Sequence, residues 1–419
     1  MPRPERLLSA RFVLIVASGL AYFLALGVLL PVVPRYVEHR LHGGSVAVGV
    51  AVGALFVGAV VLRPYAGRVG DRFGRRWLII GGALVVAVSI ALYGVAETLP
   101  WLITTRVLTG LGEAAFFVGA ATMITDLAPP ERRGEAISYW SIAVYGGLAL
   151  GPALGEAALD ASGFTLAWTV SASLAVVATL LALGTREVSR DVAASPRSGG
   201  VVSSASSGSG RQSRRFRPSG PILARAAFRP GMVLFSGLIA LAAFNAFIPL
   251  YVDDVGVAAD EVFLLYGGLV LCVRIFGARL PDRLGGRRAG SLALAGSAVG
   301  MTVIASWATA AGLFLGTVVY AGGASLLYPA LLLLALGRAP DSERASVVGT
   351  FSSFFDLSQG LGALIVGGVA AAAGYRGAFA VGAVAAAIGL LALRTRGAAM
   401  LRVPEEAEAG ALVAEHPAQ

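Results

Sequence analysis

Arg63-Pro64-Tyr65-Ala66-Gly67-Arg68-Val69-Gly70-Asp71-Arg72-Phe73-Gly74-Arg75-Arg76 lies between two long apolar runs, and the chain repeats its pattern 211 positions later. The second version reads Arg274-Ile275-Phe276-Gly277-Ala278-Arg279-Leu280-Pro281-Asp282-Arg283-Leu284-Gly285-Gly286-Arg287-Arg288. In both, an arginine precedes the aspartate by 8 residues, a glycine follows it by 3, and an Arg-Arg pair closes the stretch. A charged, glycine-punctuated hinge used twice in an apolar chain indicates a duplicated membrane protein that moves.

The rest of the composition agrees. Of 419 residues, 57% are hydrophobic and only 14% charged, with a mean hydropathy of +0.78. Soluble domains carry about 25% charged residues, so most of this chain is not made for water. Glycine, at 55 residues, is roughly twice as frequent as usual, and membrane helices use it for close packing. The net charge of +9 does not mark a nucleic-acid partner. The basic residues, all 33 of them arginine, cluster in short loops between apolar runs, which is the positive-inside pattern. A single cysteine, Cys272, excludes an internal disulfide and a cysteine metal cluster. His39, His42 and His416 form no metal spacing. No Gly-Lys-Ser/Thr phosphate loop is present, which speaks against ATP hydrolysis within the chain.

A helix needs about 20 apolar residues to cross the hydrocarbon core. Twelve such runs are present, at 12–34, 45–66, 77–96, 101–125, 136–157, 164–184, 231–252, 261–280, 289–308, 311–336, 346–373 and 376–394. In lipid every backbone group needs an internal partner, so these runs are expected as helices. The domain reading is a six-helix bundle over 1–184, a Ser/Gly/Arg-rich linker over 185–230, a second six-helix bundle over 231–394 and a tail over 395–419. Arginines of the N-terminal arm and of the second, fourth, eighth and tenth loops fall on one side when the spans alternate. That side, with both termini and the linker, is therefore assigned to the cytoplasm. The expected location is the plasma (inner) membrane. A second echo, Leu127–Gly134 after the fourth span and Arg338–Arg344 after the tenth, supports duplication. Six-plus-six parallel repeats place a substrate site between the halves near the bilayer midplane.

With these residues in view, the chain resembles the major facilitator superfamily over essentially its whole length, in particular its twelve-helix drug:proton antiporters. Gly67-x-x-x-Asp71-Arg72-x-Gly74-Arg75-Arg76 is similar to the family's signature loop between the second and third helices. Arg106-x-x-x-Gly110-x-Gly112 is similar to a second motif in the fourth span. Gly147-x-x-x-Gly151-Pro152-x-x-Gly155 is similar to the motif associated with the antiporters, although Glu156 stands where that pattern has a second glycine. The resemblance implies an all-α integral membrane protein of 12 transmembrane helices in two six-helix pseudo-repeats. It also implies that Asp71 meets the start of the eleventh helix near Ala345-Ser346, and that Arg75 pairs with Asp126. These contacts, with Gly67, Arg72, Gly74, Asp282 and Arg283, would act as a gate on the cytoplasmic side.

Arg106 and Glu113 are seven residues apart and share a face of the fourth helix. Glu113 lies near the middle of its span, where an ionisable group is costly and usually functional. It is the expected proton carrier, with Arg106 beside it. Asp356 in the eleventh span either lines the cavity from the second half or serves as a gate. Candidate substrate contacts are Tyr22, Phe117, Tyr145, Asn245, Tyr320, Tyr328 and Gln359, a set that would suit amphipathic or cationic compounds. Gly147, Gly151, Pro152 and Gly155 are read as helix-packing residues that seal and bend the fifth helix.

The expectation is a secondary active transporter working by alternating access, with proton-coupled efflux of small amphipathic compounds. Its partners are then the substrate, protons and the bilayer. No nucleic acid and no cofactor are expected, and the protein is read as a monomer. The alternatives are a proton-linked transporter of a sugar or other metabolite and, more remotely, a membrane-embedded enzyme. Sugar would call for more polar cavity residues. An enzyme would call for paired Asp-rich motifs, and Asp253-Asp254 has no partner cluster.

Overall fold

The computed structural model describes residues 8–129, 132–185, 224–277, 280–337, 339 and 343–395. All regular structure among them is helical. In chain order the elements are α1 (Ala10–Arg35) with a π-helical turn (Tyr36–Arg40), α2 (Ser45–Phe73), α3 (Arg75–Ala91), α4 (Leu99–Leu127) and α5 (Arg133–Leu183). The second half contains α6 (Arg225–Val255), α7 (Ala259–Phe276), the short α8 (Leu280–Leu284), α9 (Gly286–Ser306), α10 (Ala310–Leu336) and α11 (Arg344–Thr395). α5 is broken at Ser162 and Gly163, and α11 at Gly374. Among the described residues the ten long helices, two of them broken, thus provide twelve apolar segments, six in each half. α6 starts inside the stretch expected to link the halves, at Arg225. The Ser/Gly-rich remainder of that linker and the tail after 395 lie outside the described residues.

The duplication is visible in the backbone. Gly74 and Gly285 both take a left-handed φ, at 97° and 77°, each directly ahead of a helix. Gly163 and Gly374 break their helices at φ 70° and 71°. Arg76 Nη2 donates to the Leu183 carbonyl at 2.9 Å, and Arg287 Nη2 to the Arg394 carbonyl at 2.6 Å. The members of each pair stand 211 positions apart, the offset of the repeated sequence stretches. Glycine is required at the four positive-φ positions because a Cβ strains that backbone.

The signature stretch itself is mostly helix. α2 continues through Gly67 and Gly70 and stops only at Gly74. Of the glycines in this stretch, Gly74 supplies a left-handed angle. Gly67 faces open space, and a methyl on Gly70 would meet Leu78 at 3.1 Å.

Within the first half α1 lies along α5, and within the second α6 lies along α11. The α1–α5 seam depends on small residues. A Cβ on Gly147 would sit 2.6 Å from the Phe23 Cβ, one on Gly151 would strike Gly27, and one on Gly155 would sit 2.6 Å from the Val28 carbonyl. Pro152 lies inside the same helix. The halves meet along two matching crossings, α2 on α11 and α7 on α5. At the first, Gly49 backs on the Ala363 carbonyl, and a Cβ on Gly53 would sit 2.6 Å from the Gly360 carbonyl. At the second, Gly267 backs on Ala149.

Candidate functional site

Where α2 crosses α11, three ionisable side chains come together. Arg63, ten residues inside the end of α2, points across the interface. Its Nη2 donates to Glu113 on α4 at 2.9 and 3.2 Å. Its Nε reaches Oδ2 of Asp356 on α11 at 2.6 Å. Asp356 has no solvent exposure, and the side chains of Arg63 and Glu113 are 11% exposed. Glu113 belongs to the first half and Asp356 to the second, so one guanidinium joins both. Moving such groups out of water costs several kcal/mol per ion, and removing one partner of a buried pair costs about 3–5 kcal/mol. Neither Oδ1 nor Oδ2 of Asp356 accepts a hydrogen bond among the described residues, so its contact with Arg63 is an ion pair by proximity.

Arg106, expected to face Glu113, does not reach it. It donates instead to the carbonyls of Ala51 at 3.0 Å and Val52 at 3.3 Å on α2. The carbonyls' second lone pairs satisfy a buried arginine that has no carboxylate partner among the described residues. Its motif neighbours Gly110 and Gly112 let α4 press against α2 and α3 respectively. Arg106 thus fixes α4 to α2 and leaves Glu113 to Arg63. That arginine opens the repeated sequence stretch, but nothing in its local sequence announces a partner 293 residues away.

The aromatic candidates divide. Phe117 lies 5.1 Å under the Arg63 guanidinium, and Tyr145 lies 4.0 Å under that of Arg274. Tyr328 exchanges a 2.9 Å hydrogen bond with Ser352 on α11. Asn245 is half-buried on α6. The remaining three are packed into the protein. Tyr22 is fully buried and stacks on Phe116 at 3.8 Å, and Tyr320 is buried against Tyr266. Gln359 donates to the Leu238 carbonyl at 3.1 Å, tying α11 to α6.

Among the expected gating residues, Arg75 and Asp126 form an ion pair between α3 and α4. Arg72 and Arg283 are exposed at the ends of α2 and α8. The side chains of Asp71, Asp282 and Ala345 lie outside the described residues. At the opposite end of the bundle Arg35 at the end of α1 pairs with Glu156 on α5. It also reaches α6 through the Pro249 carbonyl at 3.1 Å and Asp253 at 3.6 Å. Beside it, the Tyr375 hydroxyl donates to Glu38 at 2.6 Å. Both connections join the two halves. Their signal in the sequence was an arginine and a glutamate on the arginine-poor side of the chain.

A duplicated bundle of apolar helices with charges buried where its halves meet defines a multi-pass membrane transport protein. The Major Facilitator Superfamily model matches residues 15–299 and 262–416, and the chain belongs to that family. It is 30% identical over 373 residues to an uncharacterized transporter of this type from Salmonella typhimurium, covering 85% of this chain and 89% of that one. It is 32% identical to Multidrug resistance protein 1 of Bacillus subtilis over 170 residues, 40% of this chain and 43% of that one. The crystal structure of a bacterial homologue of the human lysosomal transporter Spinster, inward-facing and unoccupied, shares the fold with a TM-score of 0.71. It does so at 19% identity, covering 94% of this chain and 98% of that one.

Proposed function

We propose that the protein is a proton-coupled exporter of small amphipathic compounds that works by alternating access. The carrying observation is the single guanidinium of Arg63 held between Glu113 of one half and Asp356 of the other. A proton on either carboxylate removes its charge and loosens its hold on Arg63. Proton occupancy is then linked to the bond that joins the halves, and differential binding of this kind is what shifts a two-state equilibrium. In this reading the arginine-rich face is cytoplasmic and the Arg35 end is external. Protonation of Glu113 from outside loosens the joint at Arg63 and lets the halves change access, and deprotonation inside resets it. The membrane potential contributes about 2.3 kcal/mol per charge per 100 mV. The partial match to a multidrug resistance protein supports the direction and the substrate range.

The test is flux in proteoliposomes under an imposed pH gradient, with the parent and Glu113→Gln side by side. Gradient-driven flux is expected in the parent and is lost in Glu113→Gln, while exchange without a gradient persists. Equal gradient-driven flux in both would remove Glu113 from the proton path.

A further inference from the structure

We infer that Arg274 is an anion seat at the crossing of α7 on α5, and that the compounds carried are amphipathic monoanions. This rests on the transport reading and specifies its substrate class. Arg274 occupies the position in the second half that Arg63 occupies in the first, 211 residues earlier. It too points across the interface, with its guanidinium lying 4.0 Å over the ring of Tyr145 on α5. Its Nε is buried and has no acceptor, and no carboxylate pairs with it among the described residues.

The ring of Tyr145 attracts the cation but offers its N–H groups no acceptor, so the buried Nε still needs one. A guanidinium edge matches a carboxylate or sulfonate in two parallel hydrogen bonds. Tyr145 stands one turn before Ala149, on which Gly267 backs, so the seat lies at the crossing of α7 on α5 where the halves meet.

The charge arrangement decides against a cation. Both carboxylates of the cluster are engaged by Arg63. An organic cation would have to displace that arginine and leave it buried without a partner, which is strongly unfavourable. Arg106 does not compete for an anion, since it donates to two backbone carbonyls.

The full chain in detergent, with no gradient, should be titrated by isothermal calorimetry with 1-naphthylacetate and with 1-naphthylmethylammonium. The two share a ring and carry opposite charges. The parent is expected to bind the acetate and to bind the ammonium more weakly. Arg274→Gln should weaken the acetate about tenfold or more, the loss of a charge-assisted hydrogen bond, and Arg274→Lys should restore part of it. Tighter binding of the ammonium by the parent, no binding of the acetate, or unchanged acetate affinity in Arg274→Gln would each overturn the proposal. The parent comparison stands even where a variant does not fold. Acetate binding that persists without gradient-driven flux would count against proton coupling and leave the anion seat in place.

Discussion

Arg63 and Arg274 hold equivalent places in the two halves and meet different company. Arg63 finds two carboxylates, one from each half. Arg274 finds an aromatic ring and no carboxylate among the described residues. The scaffold around them is nearly the same. The glycine breaks repeat, and so do the arginine-to-carbonyl bonds that tie α3 to α5 and α9 to α11. Duplication has therefore kept the backbone devices while the charge at the midline has diverged. The arginine of the first half closes an ion cluster that draws on both halves, and that of the second has no carboxylate among the described residues. Such an asymmetric centre can separate the two tasks of coupled transport, holding a proton and holding a cargo.

The largest effect should come from the closed side. Arg63→Met leaves Glu113 and Asp356 facing each other without a cation, which should lower stability by about 3–5 kcal/mol. The thermal unfolding midpoint of purified protein measures this, and the triple variant Arg63→Met/Glu113→Gln/Asp356→Asn should recover much of the loss. A fall equally large in the triple variant would mean that Arg63 matters for packing and not for its charge. Next comes the crossing that carries the cluster. Gly53→Leu drives a side chain into the Gly360 carbonyl and should cost about 1–3 kcal/mol by overpacking. Gly67→Leu, in open space on the same helix, should cost far less by the same assay. The smallest effect belongs to the partly exposed pair within the first half. Arg75→Gln should change stability by no more than about 1 kcal/mol, and moderate salt should erase the difference from the parent.

The fold could be read from the sequence because its causes are local. Apolar run length, arginine placement and the repeated Asp71 and Asp282 stretches are properties of short segments, and they recover both halves. The end of α2 was misplaced because charge and glycine suggested a loop. In fact nothing in Gly67 or Gly70 stops a helix until Gly74 takes a positive φ. The site was legible only in part. Depth along the span marked Glu113 and Asp356, but helical register gives the face of a side chain and not its reach. Arg106 therefore looked like the partner of Glu113, whereas it extends to the next helix. The partners of Arg63 and Arg35 lie in other helices, and contacts that cross between halves leave no spacing in the chain. Tyr22 and Tyr320 were chosen for their chemistry, and their burial depends on neighbours such as Phe116 and Tyr266 that only the fold supplies.

The claim that the halves rock about a proton-sensitive joint is tested most directly by the distance between them. Spin labels at Ile137→Cys on α5 and Leu292→Cys on α9, both exposed, in a Cys272→Ser background report that distance by pulsed electron resonance in lipid nanodiscs. The account predicts a distribution that shifts on acidification in the parent and stays fixed in Glu113→Gln/Asp356→Asn. A distribution that ignores pH in the parent, or that shifts just as far in the double variant, would contradict it.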